Sequence, residues 1–174
     1  MLLKGENVRL RALEPEDLEI FAGVENDPEL WACSSTNVPY SRFAVRNFIS
    51  STNNDIYADK QVRLVACRIS DGVPVAFADI TGFEPRHRRA EVGIVVFPGY
   101  RNRGIGAEVL GLLDEYARRV VALHTLYAVV AKNNEASCRL FAGADYERVA
   151  LLPQWLFADG KYGDALIYEK IFAE

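Results

Sequence analysis

The residues with the most chemical promise are Arg101-Asn102-Arg103-Gly104-Ile105-Gly106-Ala107, set between a strand-like run and an amphipathic helical run. A helix start leaves several backbone N–H groups without partners and carries the positive end of the helix dipole. Gly104 and Gly106 let a phosphate approach that backbone, while Arg101 and Arg103 supply positive charge. The chemistry expected is capture of a pyrophosphate. A P-loop would need Gly-Lys-Ser/Thr, and a dinucleotide turn would need Gly-x-Gly-x-x-Gly early in a βαβ unit. Neither occurs: Gly106 is followed by Ala107-Glu108-Val109, and the preceding strands read as hairpins. A nucleotide hydrolase on these glycines would therefore lack its Lys-Ser/Thr pair. A ligand with a pyrophosphate and a long neutral arm fits better, because the arm can pair with strand backbone beside the cradle.

The elements that must hold this cradle can be read from periodicity. Val8 to Leu13 alternates apolar with charged, as a half-buried strand should, and Glu14-Pro15-Glu16-Asp17 then opens a helix with Leu18, Phe21, Ala22 and Val24 on its buried side. A second helix is expected from Arg42 to Ser50, and the polar stretch Asn53 to Lys60 reads as a mobile loop. Val62 to Ile69 and Val73 to Phe83 form a hairpin through Ser70-Asp71-Gly72, followed by a strand from Ala90 to Phe97. From Gly104 the period becomes helical, with Ile105, Val109, Leu112, Leu113, Tyr116 and Val120 on one face. Leu126 to Ala131 reads as a short strand buried on both faces, and Asn134 can cap a helix running to about Ala142. Strands from Tyr146 to Leu151 and from Tyr162 to Phe172 close the chain. The order describes an α+β domain with a mixed, mostly antiparallel sheet and helices on both faces.

Composition narrows the classes. A chain of 174 residues, 50% hydrophobic and 25% charged, reads as one domain spanning 1–174 with a core of its own. With 20 Lys and Arg against 24 Asp and Glu, the charge of −4 argues against a nucleic-acid-coating protein. Arg86-His87-Arg88-Arg89 is the one basic run, and a solvated turn accounts for it. Cys33, Cys67 and Cys138 are far apart and never in Cys-x-x-Cys spacing, and His87 and His124 have no clustered ligands. Neither a disulfide framework nor a metal site is expected, and reduced thiols suit a cytoplasmic protein. The most apolar stretch, Val120 to Ala131, is too short to span a bilayer, so no membrane partner is expected.

Four ordered motifs carry a family resemblance. They are Arg88 to Val96 (Arg-Arg-Ala-Glu-Val-Gly-Ile-Val-Val), Pro98-Gly99-Tyr100-Arg101 through Ala107, Asn134-Glu135-Ala136-Ser137 with Leu140-Phe141, and Asp159-Gly160-Lys161-Tyr162-Gly163-Asp164. Together with Val8 to Leu13 and Glu16-Asp17-Leu18, they cover nearly the whole chain. The sequence resembles the GNAT superfamily of N-acetyltransferases, in the branch of ribosomal-protein alanine acetyltransferases and spermidine or diamine acetyltransferases. The resemblance implies acetyl-coenzyme A (acetyl-CoA) as co-substrate, held in a wedge between two splayed parallel strands, Glu91 to Phe97 and Leu126 to Ala131. It implies that Ile94, Val95 and Val96 pair with the pantetheine arm, and that the N–H groups from Arg101, Asn102, Arg103, Gly104, Ile105, Gly106 and Ala107 hold the pyrophosphate. Asn134, with Ser137 beside it, would bond the pantetheine chain, and Leu140 and Phe141 would line the thiol end.

Acetyl transfer to an amine sets a proton problem. An alkylamine has a pKa near 10.4, so freeing its lone pair at pH 7 costs about 4.6 kcal/mol. A carboxylate that takes this proton is the natural device, and Glu91 is the candidate. The competing reading makes Glu91 a strand-surface acid neutralised by Arg88 or Arg89. A strand N–H, from Ile94 or Val95, would stabilise the oxyanion. Two positions depart from the family pattern. Phe141 stands where much of the family has a tyrosine that protonates the departing thiolate, leaving Ser137 or Cys138 as substitutes, and Asp145 stands where a glycine is usual. A thiol pKa near 8.5 limits the loss of that acid to about 2 kcal/mol. The missing tyrosine also lends weight to an alternative, a non-catalytic acyl-CoA-binding regulatory module.

For the acceptor, Trp31, Tyr40, Trp155 and Phe157 are candidate pocket walls, with core packing or contact with a second copy of the chain as the competing use. The stretch from Cys33 to Tyr40 contains no acid, whereas spermidine acetyltransferases carry an acidic cluster there. The expected partner is an amine, either a small molecule or a protein N-terminus, and a homodimer is the expected assembly.

Overall fold

A computed structural model describes residues 2–31, 39–53 and 55–173. Seven strands form one sheet: β1 (Val8–Ala12), β2 (Val62–Arg68), β3 (Pro74–Glu84), β4 (Arg89–Val96), β5 (Thr125–Ala131), β6 (Glu147–Ala158) and β7 (Lys161–Ile171). Their order is β1-β2-β3-β4-β5-β7-β6, and only β4 and β5 run parallel. Alternation sends Leu64, Ala66, Ala78, Ile80, Val92, Leu126 and Leu166 into one core cluster and Val65, Cys67 and Phe77 into a second on the opposite face.

Each face has its helices. α1 (Leu18–Glu25) and α3 (Arg42–Ser51) cover the Val65–Phe77 side through Phe21, Ala22, Val45 and Ile49. Between them lies the single turn α2 (Pro28–Trp31). The stretch expected as a mobile loop instead forms α4 (Ile56–Asp59). Asp55 caps it by accepting the Tyr57 N–H, Ile56 is buried, and the Tyr57 ring meets Phe83 edge-on at 5.1 Å. On the other face, α5 (Ile105–Tyr116) buries Ile105, Val109, Leu110, Leu112 and Leu113, and α6 (Glu135–Gly143) buries Phe141.

Three sequence expectations need correction. Val120 is 55% exposed because Ala117–Val121 is a wide π-helical turn, which rotates Ala117 and Val121 inward instead. β5 is buried on one face only, since Leu126, Ala128 and Val130 alternate with half-buried neighbours. β6 runs past Leu151 to Ala158, and Pro153 is accommodated because β6 is an edge strand with register breaks at Arg148/Ala150 and Leu152/Leu156.

Polar ties fix the elements around β4 and β5. The buried Asp114 of α5 accepts the Tyr146 hydroxyl at 2.6 Å and the Lys170 ammonium at 2.8 Å, and that ammonium also donates to the Ala144 carbonyl. Glu108 of α5 accepts the backbone N–H groups of Asn7 and Val8, which clamps the start of β1 to the first turn of α5. Asp145 follows α6 with φ of 62°, a left-handed conformation that costs an L-residue on the order of 1 kcal/mol. Asp145→Gly is therefore expected to stabilise the fold by about 0.5 kcal/mol after the entropy cost of glycine, a rise of about 1–2 °C in thermal melting.

Candidate active site

β4 and β5 share only three rungs, Arg89↔Thr125, Ala90↔Leu126 and Glu91↔Tyr127. Beyond them β4 stays paired to β3 through Val96, and β5 stays paired to β7 through Ala131. The two strands therefore part at Glu91 and Tyr127 and leave a wedge. Ile94, Val95 and Val96 are only half-buried although they lie near the middle of the sheet. Their backbone on the β5 side has no strand to pair with, so an extended polar chain can complete it.

The loop from Arg101 to Gly104 stands at the open end of the wedge. Arg101 Nε donates to the Val96 carbonyl at 3.1 Å, which ties the loop to the end of β4. Asn102 and Gly104 are both left-handed, with φ of 59° and 76°. Gly104 is the residue before α5, and no atom lies within 4 Å of where its Cβ would stand. The first intrahelical rung is Glu108 N–H to the Gly104 carbonyl, so the N–H groups of Ile105, Gly106 and Ala107 have no acceptor within the helix. A Cβ on Gly106 would meet Val96 and Leu140 at 3.6 Å, so that glycine lets α5 lie close to both β4 and α6. Leu140 accordingly forms a wall between α6 and the end of β4.

Asn134 caps α6 by accepting the Ser137 N–H at 3.1 Å, which places both residues just past the end of β5. Phe141 is buried between Tyr146, edge-on at 5.2 Å, and Tyr168, stacked at 6.1 Å. Cys138, a half-buried free thiol, lies one turn before Phe141. An open depression of about 850 Å³ continues from here, lined by Lys132, Asn134, Tyr162 and Asp164.

Glu91 sits at the apex of the wedge on the face opposite α5, with Thr81 across on β3 and Tyr127 across on β5. The arginines of the competing reading are engaged elsewhere: Arg89 pairs with Glu84 at 2.7 Å, and Arg88 donates to the Ala122 carbonyl at 2.8 Å. Burial pushes the Glu91 carboxyl above its ordinary range. Part of that burial comes from Tyr127, whose hydroxyl lies 4.0 Å from where a Cβ on Gly82 of β3 would stand, so the ring crosses β4 beside Glu91. The arrangement is a partly desolvated carboxylate at the point where the two strands diverge.

A group that sequence reasoning missed lies on the same face. Arg63 of β2 grips Asp79 of β3 with two donors at 2.6 and 2.9 Å and reaches Glu25 of α1 at 2.5 Å. Its guanidinium stacks on Phe21 at 4.8 Å and Phe77 at 5.6 Å. The signal was an acid inside the apolar run Val75 to Ile80 with an arginine inside Val62 to Ile69. Of the aromatic candidates, Tyr40 lines the cavity above this group and is held by Asn26 through its N–H and carbonyl. Trp31 donates its indole N–H to the Glu25 carbonyl at the end of α1. Trp155 and Phe157, more than 60% exposed on β6, line neither cavity. Residues 33–38, where the acid-free stretch was noted, lie outside the described residues.

Comparison with known proteins fits this geometry. The family model described as "Acetyltransferase (GNAT) domain" matches residues 7–147. The chain belongs to the GNAT acetyltransferase family. It is 25% identical over 162 residues to a spermidine N(1)-acetyltransferase of Escherichia coli (strain K12), covering 93% of this chain and 84% of that protein. It is also 25% identical over 169 residues to an uncharacterized N-acetyltransferase, YoaA, of Bacillus subtilis (strain 168), covering 96% and 94%. Among solved structures, the spermidine N-acetyltransferase from Vibrio cholerae in complex with CoA and spermine superposes with a TM-score of 0.83 at 20% identity, covering 96% of each chain. As a GNAT acetyltransferase the protein transfers an acetyl group from acetyl-CoA to an amine. No described helix is long and apolar enough to cross a membrane. No group of three metal-ligating side chains stands together among the described residues.

Proposed function

We propose that the wedge between β4 and β5 binds acetyl-CoA and that Glu91 takes the proton from a primary alkylamine as it attacks the thioester. The observation that carries the reading is the coincidence of three features on one line. Helix N–H groups without an intrahelical acceptor follow Gly104, strand backbone without a β5 partner runs from Ile94 back to Val92, and a partly desolvated carboxylate ends the line at Glu91.

The residues that fit the cofactor are this chain's own. The N–H groups of the Arg101–Ala107 segment hold the pyrophosphate, with Arg103 adding charge, and Ile94, Val95 and Val96 pair with the pantetheine arm. Asn134 and Ser137 at the start of α6 border that arm, and Leu140 and Phe141 flank the thiol end. Bound acetyl-CoA supplies the activated acyl group. The amine nitrogen forms a bond to the acyl carbon, the carbon–sulfur bond breaks, and the amine proton passes to Glu91 directly or through water. An N–H of Ile94 or Val95 faces the developing oxyanion. Phe141 has no proton to give, and the thiol leaves as thiolate at a cost of about 2 kcal/mol at pH 7. The relatives named for spermidine support an alkylamine acceptor. A cytoplasmic location suits the donor and the free thiols of Cys67 and Cys138. The exposed apolar residues of the β6–β7 arm, Val149, Leu151, Trp155, Phe157 and Tyr162, support self-association into at least a dimer.

The test is thiol release from acetyl-CoA with a panel of primary amines, with mass detection of the acetylated product. Turnover dependent on both substrates is the expected result. Saturable cofactor binding with no turnover on any amine or N-terminal peptide would instead mark an acyl-CoA-binding regulatory module.

A further inference from the structure

On the face of the sheet that carries Glu91, a cavity of about 240 Å³ lies between α1, α3 and the strands β2 and β3. Its walls are mostly apolar, formed by Leu13, Phe21, Tyr40, Val45 and Phe48 together with Thr52 and Gln61. Its floor is Arg63, Asp79 and Thr81, with Glu25 at the side. Thr81 is the cross-strand partner of Glu91, and Asp79 is the partner of Gly93. The cavity therefore abuts the strand segment where β4 and β5 begin to part. Gly93 carries no side chain there, and a Cβ at that position would fill the space 4.0 Å from the Asp79 Cβ. With no side chain on Gly93, that residue puts nothing between Asp79 at the cavity floor and the apex of the wedge.

The acids inside the cavity are already engaged by a cation of the chain itself. Two carboxylates and two aromatic faces would make a good seat for a ligand ammonium group. Here Arg63 occupies that seat, with all three guanidinium nitrogens donating to Asp79 and Glu25 and its plane against Phe21 and Phe77. A second ammonium brought in by a diamine would lose its hydration and find a fixed guanidinium among the acids it needs. A hydrocarbon or aryl tail lies against the apolar walls, makes no demand on the engaged acids and gains from leaving water.

We propose that this cavity holds the tail of the acceptor and that Arg63 tunes it for a monoamine with an apolar or aryl tail rather than for a diamine or polyamine. The proposal rests on the acetyl-transfer reading above and names the acceptor of that same site. Gly93 gives the amine its path to the thioester, and Arg63 is a specificity-determining residue that takes no part in proton transfer.

The experiment compares kcat/KM for ethylamine, hexylamine, phenylethylamine, 1,6-diaminohexane and spermidine in the wild type, Arg63→Met and Ala44→Trp, with thermal melting to confirm that each variant folds. In the wild type, hexylamine is expected to exceed 1,6-diaminohexane at least tenfold. Arg63→Met removes the guanidinium from the side of Asp79 and Glu25, and the ratio is expected to fall below one. Ala44→Trp narrows the cavity from an exposed position on α3 and is expected to lower the hexylamine-to-ethylamine ratio about tenfold, which keeps the proposal testable should Arg63→Met not fold. A wild-type preference for the diamine or spermidine overturns the proposal, as does a ratio unmoved by either folded variant. If no amine is acetylated, the acetyl-transfer reading fails by itself. The same amines titrated calorimetrically then decide the cavity's preference by the order of their dissociation constants.

Discussion

Glu91→Gln is expected to lower kcat/KM for amine acetylation by about 10²–10⁴-fold, the usual contribution of a positioned base. The glutamine keeps the shape of the side chain and cannot accept a proton. The pH profile separates this from a packing defect. Because burial holds the Glu91 carboxyl above the ordinary value of 4.5, the wild-type rate should fall on the acid side with a midpoint above that value. That limb should be absent in the variant, leaving only the slope from deprotonation of the free amine. Stability should move the opposite way. A carboxyl whose pKa is raised by folding contributes stability below its unfolded pKa and loses it as pH rises through the folded value. The charged Glu91 therefore costs stability at neutral pH, and Glu91→Gln should melt at a higher temperature at pH 7. The advantage should vanish on acidification as the wild-type carboxyl takes up its proton. A variant with normal kcat/KM would remove Glu91 from the proton path.

Gly104→Asp should weaken acetyl-CoA binding by about 10²–10³-fold, measured by calorimetric titration. Two effects add. The new carboxylate stands where the helix N–H groups meet the pyrophosphate, and charges a few ångströms apart near a protein surface interact by about 4 kcal/mol. The residue must also hold φ at 76°, a conformation that favours glycine. Solvation of the new carboxylate reduces the electrostatic part, which sets the estimate nearer 3–4 kcal/mol. The free protein should still fold, because no atom lies within 4 Å of the added Cβ. Undiminished affinity would mean that the phosphate lies elsewhere.

The cradle was legible because its signal is local. Glycines, arginines and a change of period within seven residues specify a strand, a turn and a helix start without reference to the rest of the chain. The parallel pairing of β4 with β5 followed from the family resemblance, since two separate apolar runs do not state how far they pair. The cluster of Glu25, Arg63 and Asp79 was not legible, because its members come from three elements and meet only when the sheet forms. Val120 failed for a different reason: a helical wheel assumes one period, and the chain changes to a wider turn at Ala117. Glu91 lay between these cases. Its position on a strand was readable, but its release from Arg88 and Arg89 depends on the far partners Ala122 and Glu84.

Three rungs hold the two halves of the sheet together. In the proposed binding mode a donor would lie along the remaining gap like an eighth strand and lengthen that seam, so that occupancy and rigidity rise together. Release of spent coenzyme would then unzip what it had stitched, coupling departure to the breathing of the β-sheet.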